Sequence, residues 1–565
     1  MTRRRFRQAL WLLAAAGLLL GGCMGSGSGG GAATAEAPSA EAPAVAETPP
    51  ADAAAAPSGA APIASDDAAK TAFDQPSRVY YEIFVRSFSD SNGDGIGDLN
   101  GVTEKLDYLT DLGVQGIWLM PVNPSPSYHG YDVTDYYGIH PDYGTLEDMK
   151  RLLEEAHKRD IRVLMDLVVN HTSVQHPWFA ESAEGEDSAK REWYVWADAS
   201  TKTGEGSAAG ASRAWHPKGG GHYLGAFWDG MPDLNFDHPD VRAEMIAVGQ
   251  YWLNLGVDGF RLDAAKHIYD NVASDKNKPG TKEKNVAWWQ QFRAAMEETK
   301  PGVTLIGEVW DSPAVVAPYL DRAMSSAFNF ELAKRILDMA KSESASNLAF
   351  TLERIYALYQ EASGGAFTDS VFLANHDQNR VMSVLGENEN HARTAAAVLL
   401  TLPGNPFLYY GEELGMRGMK PDEHIREPFP WTVDRSAAGN ASWIVPKYAQ
   451  DGALSAEALA AQPDSLYAHY KRLIAYRKSD RALHEGGIAT FDLDQDGIES
   501  YIRATSDGET SLVVHNLSGE AQDVALPAEE SGRRFGKLAF ATSEGAKLAK
   551  DALTLPPYST AVLKP

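Results

Sequence analysis

Three acidic residues in this 565-residue chain each close a short apolar run. Asp263 ends Gly256-Val-Asp-Gly-Phe-Arg-Leu-Asp263, Glu308 ends Val303-Thr-Leu-Ile-Gly-Glu308, and Asp377 follows Val371-Phe-Leu-Ala-Asn-His. An acid directly after a buried strand faces the rim of a sheet, not its core. Two carboxyl groups about 5–5.5 Å apart can cut a glycosidic bond with retention, one attacking while the other gives and takes the proton. Arg261 lies two residues before Asp263, so on a strand the two share a face. A guanidinium there keeps a carboxylate ionised, as a nucleophile requires. Asp166 ends another apolar run and can orient that arginine, while His171 and His376 are near the same rim and can donate to sugar hydroxyls. Any one strand-end aspartate is usually a turn or cap residue; the weight comes from the ordered set.

A second cluster suggests a metal. In Asp90-Ser-Asn92-Gly-Asp94-Gly-Ile96-Gly-Asp98, oxygen-bearing residues alternate with residues that let the chain curl. Hard Ca²⁺ takes 6–8 oxygens, and Asp90, Asn92, Asp94, Asp98 and the Ile96 carbonyl would supply them. Unscreened carboxylates this close would repel. The start is EF-hand-like, but Gly101 stands where the bidentate glutamate would be.

These residues need a scaffold that brings strand ends together. Apolar runs at Val79–Phe88, Gly116–Met120, Ile161–Val169, Gly259–Asp263, Val303–Glu308, Val371–Ala374 and Pro406–Tyr410 lack polar alternation, as in a parallel sheet buried on both faces. Amphipathic helices lie between them: one is capped by Thr145 with Asp148 three residues on, and others run near Val241–Leu255 and His391–Leu402. Strand–helix units repeated in this way predict an α/β fold, a (β/α)8 TIM barrel. Residues 171–240, rich in Gly, Ser, Trp and His, break the rhythm as an inserted domain after the third strand. Beyond residue 483 the pattern alternates, and Asp507-Gly508 between two runs predicts a hairpin in a C-terminal antiparallel β-sandwich domain.

Lys plus Arg number 51 against 77 Asp plus Glu, a net charge of −26, which argues against nucleic acid as a partner. The one cysteine, Cys23, excludes an intrachain disulfide. It follows Arg3-Arg4-Arg5, an apolar run from Ala9 to Leu20, and Gly21-Gly22, the layout of a secretory signal peptide. Residues 24 to about 70 are Ala, Pro, Gly, Ser and Glu with almost no aromatics, which predicts a disordered tether. The expected organisation is a signal peptide over 1–22, a tether over 23–72, a barrel over 73–170 and 241–482, the inserted domain over 171–240 and the β domain over 483–565. A monomer is expected.

Asp166–His171, Gly259–His267, Glu308 and Phe372–Asp377, in that order, resemble the four sequence regions of the α-amylase family, glycoside hydrolase family 13. Gly116–Pro121 and Gly404–Glu412 match further segments, and the resemblance spans roughly residues 75–565. It implies a retaining hydrolase of α-1,4-glucosidic bonds in starch, glycogen or maltooligosaccharides. It makes Asp263 the nucleophile, Glu308 the acid/base and Asp377 the carboxylate that binds sugar hydroxyls. Arg261, His171 and His376 would line the same subsite, with Tyr131 as stacking platform and His129 beside it. Lys266 and His267 resemble aglycone-side contacts. Met231–Phe236 resembles the form intermediate between the oligo-1,6-glucosidase and neopullulanase groups. The Asp90–Asp98 loop is similar to the calcium loop after the first strand in oligo-1,6-glucosidase-like members. Leu20-Gly-Gly-Cys23 resembles a bacterial lipobox, implying a secreted protein lipid-anchored to a bacterial membrane at Cys23. Trp228, Trp310 and Trp431, in loops near the motifs, are candidates for sugar stacking. A cyclomaltodextrinase or transglycosylase, an exo-acting α-glucosidase, and a surface glucan-binding lipoprotein are the alternatives.

Overall fold

A computed structural model describes residues 77–448, 454–528 and 534–565. The expected signal peptide, tether and lipidated Cys23 lie outside the described residues. Among the described residues no helix is long and apolar enough to cross a membrane.

Eight parallel strands form the first sheet: β1 (Tyr80–Ile83), β2 (Gly116–Leu119), β3 (Arg162–Leu167), β4 (Gly259–Leu262), β5 (Thr304–Gly307), β6 (Ser326–Ala327), β7 (Ser370–Phe372) and β8 (Asn405–Tyr409). Neighbours follow chain order, with β8 beside β1. A parallel bridge between Phe328 and Ser370 links the β6 and β7 edges, so the sheet curls into a nearly closed barrel. Five strands lie within the predicted apolar runs, and β7 and β8 each start one residue before theirs. The two-residue β6 has no such run, and the first run is shorter than read: it turns into a helix at Val85–Phe88.

Side chains on a strand alternate between faces. Tyr80, Trp118, Leu164, Ile306, Phe372 and Phe407 point inward and form one cluster with Phe328. Tyr80 stacks on Phe407 with centroids 4.7 Å apart. Gly116 makes room for this layer: a Cβ there would sit 2.3 Å from the Tyr80 ring. Tyr81, Ile117, Met165 and Phe260 point outward under the helices. The helix Leu146–Lys158 starts with the expected Thr145–Asp148 capping box.

Between β3 and β4 lie the helix Pro177–Ser182 and a hairpin, Trp215–Lys218 with Gly221–Leu224. Bridges His171–Asp233 and Tyr194–Leu234 tie this insertion together. The C-terminal region has a five-stranded and a three-stranded antiparallel sheet around its own core. The Asp507-Gly508 turn joins Ile498–Ala504 to Thr510–Asn516. Two buried arginines lie near the join with the barrel, Arg477 on the barrel helix Leu466–Ser479 and Arg503 on the C-terminal strand Ile498–Ala504, and the second crosses the join. Arg477 donates to the carbonyls of Leu400, Leu402 and Gly404, and Arg503 to those of Thr401, Leu483, Gly486 and Gly487.

Candidate active site

The inward face continues past the apolar layer. Two residues beyond Tyr80 is Glu82, two beyond Leu164 is Asp166, and two beyond Ile306 is Glu308. Arg261 is in register with both Asp166 and Ile306, and Asp263 lies two residues further along β4. A period of two therefore raises a ring of charged groups above an aromatic floor.

Arg261, 1% exposed, is the hub. Its Nη1 donates to Asp166 Oδ1 at 2.9 Å and to Asp263 Oδ1 at 2.6 Å, and its Nη2 lies 2.8 Å from Glu308 Oε2. Asp166 is further held by Trp118 Nε1 at 3.3 Å and Tyr131 OH at 3.0 Å. Ala264 takes a left-handed conformation, φ 47°, and its N–H donates to Glu308 Oε2 at 3.0 Å. Side-chain exposure rises from 10% at Asp263 and 13% at Glu308 to 31% at Asp377, so the acids form a recess that opens toward Asp377.

Asp377 has its own cations. His376 Nε2 lies 3.1 Å from Asp377 Oδ2, and Arg426 Nη2 donates to Asp377 Oδ1 at 3.0 Å and to Asp422 Oδ2 at 3.1 Å. His376 Nδ1 is 2.6 Å from Glu82 Oε1, and its ring is nearly parallel to Tyr131, 14° apart.

Burial raises the Asp263 and Glu308 carboxyls, with the Arg261 charge opposing it. Asp166 is pushed up to about 7 by burial, again against Arg261. Burial also works against the Asp377 charge, but His376 and Arg426 outweigh it and hold that carboxyl well below the usual range. For His376, burial is overcome by Asp377 and Glu82, which hold its proton up to about 10. His129 falls to about 3 through burial and the Arg426 charge, and His171 to about 4 through burial.

A family model for the α-amylase catalytic domain matches residues 82–486. The chain belongs to the α-amylase family. It is an enzyme of glycoside hydrolase family 13, and a model for the C-terminal domain of the α-amylase SusG matches residues 498–562. The chain is similar to α-amylase 3 of Dictyoglomus thermophilum, 42% identical over 86% of this chain and 93% of that one. It is 36% identical to a 4-α-glucanotransferase of Thermotoga neapolitana, over 78% and 95% of the two chains. The crystal structure of an α-amylase from H. orenii superposes with a TM-score of 0.79 at 44% identity, covering 87% and 99%.

In this family member, Asp263, Glu308, Asp377, Arg261, His376, Tyr131 and His129 come together. His171 is 2% exposed, and its Nε2 lies 3.1 Å from the Tyr131 carbonyl. Lys266 is buried and paired with Asp311 at 2.7 Å, and His267 Nδ1 lies 2.7 Å from the Asp270 carbonyl. Trp431 is a correction. It is 5% exposed, packed against Phe88, Tyr108 and Phe429, and its Nε1 donates to the Phe88 carbonyl, so it belongs to the core and offers no face to a sugar. Trp310 is half-buried, stacked 4.3 Å from Phe330, and Trp228 is half-buried in the insertion. Glu82, Arg426, Asp422 and Asp311 are site residues that the sequence reading missed. A charge two residues after an inward tyrosine could have flagged Glu82; no local pattern marks Arg426.

In the Asp90–Asp98 loop, Asp90 accepts from the N–H groups of Asn92, Gly93 and Gly95, Asp94 from Ile96, and Asp98 from Ser91 and Gly101. Gly93 and Gly95 take φ 83° and 92°, which curls the loop. Among the described residues no three His, Cys, Asp or Glu side chains gather into a metal-ligand cluster.

The His376 pairing predicts a pH-dependent stability. A histidine whose proton is held more tightly when folded contributes fully below its ordinary value of 6.5 and loses that contribution as pH rises through about 10. Glu82→Gln should therefore lower the melting temperature most at pH 5–6.5, with the deficit shrinking toward pH 10. Thermal unfolding across this range is the measurement, and a deficit that does not vary with pH contradicts the pairing.

Proposed function

We propose that this enzyme hydrolyses internal α-1,4-glucosidic bonds of starch, glycogen or maltooligosaccharides with retention. The observation that supports this reading is the shared guanidinium: Arg261 holds Asp263 through Nη1 and Glu308 through Nη2, so both carboxyl groups border one small space. Glu308, its proton favoured by burial, protonates the glycosidic oxygen while Asp263 attacks the anomeric carbon. The C–O bond to the leaving sugar breaks and a glycosyl ester forms on Asp263. Glu308, now a carboxylate, takes a proton from water, which attacks the anomeric carbon, breaks its bond to Asp263 and frees that carboxylate. Asp377 and His376 hold the hydroxyls of the sugar being transferred. If a sugar hydroxyl replaces that water, the outcome is transfer, a reading kept open by the Thermotoga neapolitana relative named for glucan transfer.

Asp263→Asn should lower turnover of soluble starch by at least about 10⁴-fold, because nucleophile, base and oriented charge act as a unit. Its melting temperature and maltoheptaose binding should stay near wild type. In the wild type the alkaline limb of kcat/KM should lie above the ordinary glutamate range of about 4.3. Wild-type-like turnover by the variant refutes the assignment. The size profile of products from starch and maltotriose separates internal cleavage from terminal trimming and from transfer.

We also propose a structural calcium ion on Asp90, Asn92, Asp94, Asp98 and the Ile96 carbonyl. The donors are hard oxygens, and among the described residues the carboxylates accept from backbone N–H groups and Ser91. Calcium at a hundred times its dissociation constant should stabilise the fold by about 2.7 kcal/mol. Asp94→Ala should lose that gain in a calorimetric melt; equal gains in both proteins contradict the site.

The lipobox-like Leu20–Cys23 supports secretion and acyl anchoring at Cys23. Cys23→Ser should move the protein from the membrane fraction to the soluble fraction and abolish palmitate labelling. Unchanged labelling removes the anchor.

A further inference from the structure

The charged recess accounts for its acids, but it leaves an aromatic run leading away from Asp377 unexplained. Tyr131 is nearly parallel to His376, His129 is 6.1 Å from Tyr131, Tyr128 is 5.6 Å from His129, and Trp443 stacks on Tyr128 at 5.3 Å and 23°. Tyr128 and Trp443 are half-buried, unlike the core aromatics of the barrel. Their placement is rigid. Phe84, 1% exposed, meets both rings edge-on, at 6.4 Å and 6.1 Å. Trp443 Nε1 donates to Ser87 Oγ at 2.8 Å, and Ser87 Oγ in turn donates to the carbonyl of Arg426, the residue that holds Asp377. The Arg426 guanidinium also lies 6.0 Å from the centre of the Tyr128 ring.

A large, partly exposed aromatic pair fixed from behind suits the flat C–H face of a sugar ring, since amphipathic rings bind best where one side is apolar and the other wet. The flank can be assigned. Lys266 and Asp311 lie on the Glu308 side, Asp311 being three residues past Glu308, whereas Tyr128 and Trp443 are tied to Asp377. We infer that Trp443, braced on Tyr128, is a specificity-determining subsite for the sugars that precede the cleaved bond, beyond the one held by Asp377. This rests on the hydrolytic reading above. It gives a reason for cutting within chains: a glucan long enough to reach Trp443 gains contact that a single glucose cannot make.

The test compares kcat/KM for maltoheptaose and for 4-nitrophenyl α-glucoside, which places only one sugar on the Asp377 flank. Trp443→Ala should lower the ratio of long to short substrate about tenfold, the size of one well-placed ring contact. Trp443→Phe, which keeps a ring but loses the bond to Ser87, should restore most of it. A ratio unchanged in folded Trp443→Ala, or a loss equal on both substrates, overturns the subsite. Calorimetric titration of Asp263→Asn with maltoheptaose is the second arm, and it decides when glucoside turnover is below detection. Affinity about tenfold weaker with Trp443→Ala added supports the subsite; equal affinity overturns it. If wild type hydrolyses neither substrate, the hydrolytic reading fails while this titration still decides on Trp443. Should Trp443→Ala not fold, Trp443→Leu takes its place in both arms.

Discussion

The site depends on one arginine shared among three carboxyl groups. Arg261 is 1% exposed and touches Asp166, Asp263 and Glu308. A single buried positive charge cannot balance three negative ones where dielectric screening is weak. Burial shifts Asp166, Asp263 and Glu308 upward, and in each the Arg261 charge opposes that shift. Arg261 in turn is pinned in its charged state, because burial, which disfavours its charge, is outweighed by Asp166 and Glu308. The same hub thus orients two acids and favours their charged forms, while burial favours the proton on Glu308 that acid catalysis requires.

Asp377 follows the opposite logic. It is the most exposed of the three acids and has two cations, His376 and Arg426, and its carboxyl is held ionised. Environment separates two classes of carboxyl group a few residues from the barrel floor: those around Arg261, raised by burial, and one at the rim held low by two cations. Backbone strain takes part. Ala264 adopts a left-handed conformation that costs about 1–2 kcal/mol in a residue other than glycine. That turn aims its N–H at Glu308, so the strain falls between the two acids it helps to place.

Much of this was legible in the sequence because strand periodicity is simple. Arg261 and Asp263 share a face by spacing alone, and the strand-end acids were readable from the apolar runs before them. What escaped reading depends on distance. The two-residue β6 is too short to show a pattern, and its pairing rests on neighbours such as Ser326 Oγ and Ser370 Oγ, 2.6 Å apart. Arg426 reaches Asp377 across 49 residues from a loop without regular spacing. Trp431 read as a loop residue from its glycine- and proline-rich surroundings, but composition does not reveal that the loop folds back onto Phe88.

The arginines show where sequence reading stops and why. Arg261 and Arg426 are buried among carboxylates, and their charge is strengthened. Arg477 and Arg503 are as deeply buried, but their partners are mostly carbonyls, and burial lowers them to about 9 and about 10. Arg477 Nη1 and Arg503 Nη1 reach the carbonyls of Leu400, Leu402 and Thr401, around the C-terminus of the helix Glu389–Thr401, where unpaired carbonyls and the helix dipole favour a positive charge. One pair serves the acids at the top of the barrel; the other serves backbone at the join to the C-terminal sheets. A buried charge that answers carbonyls fixes structure, because its partners cannot change protonation. A buried charge that answers carboxyl groups favours their ionised forms against burial, and this makes the arginine on β4 part of the chemistry.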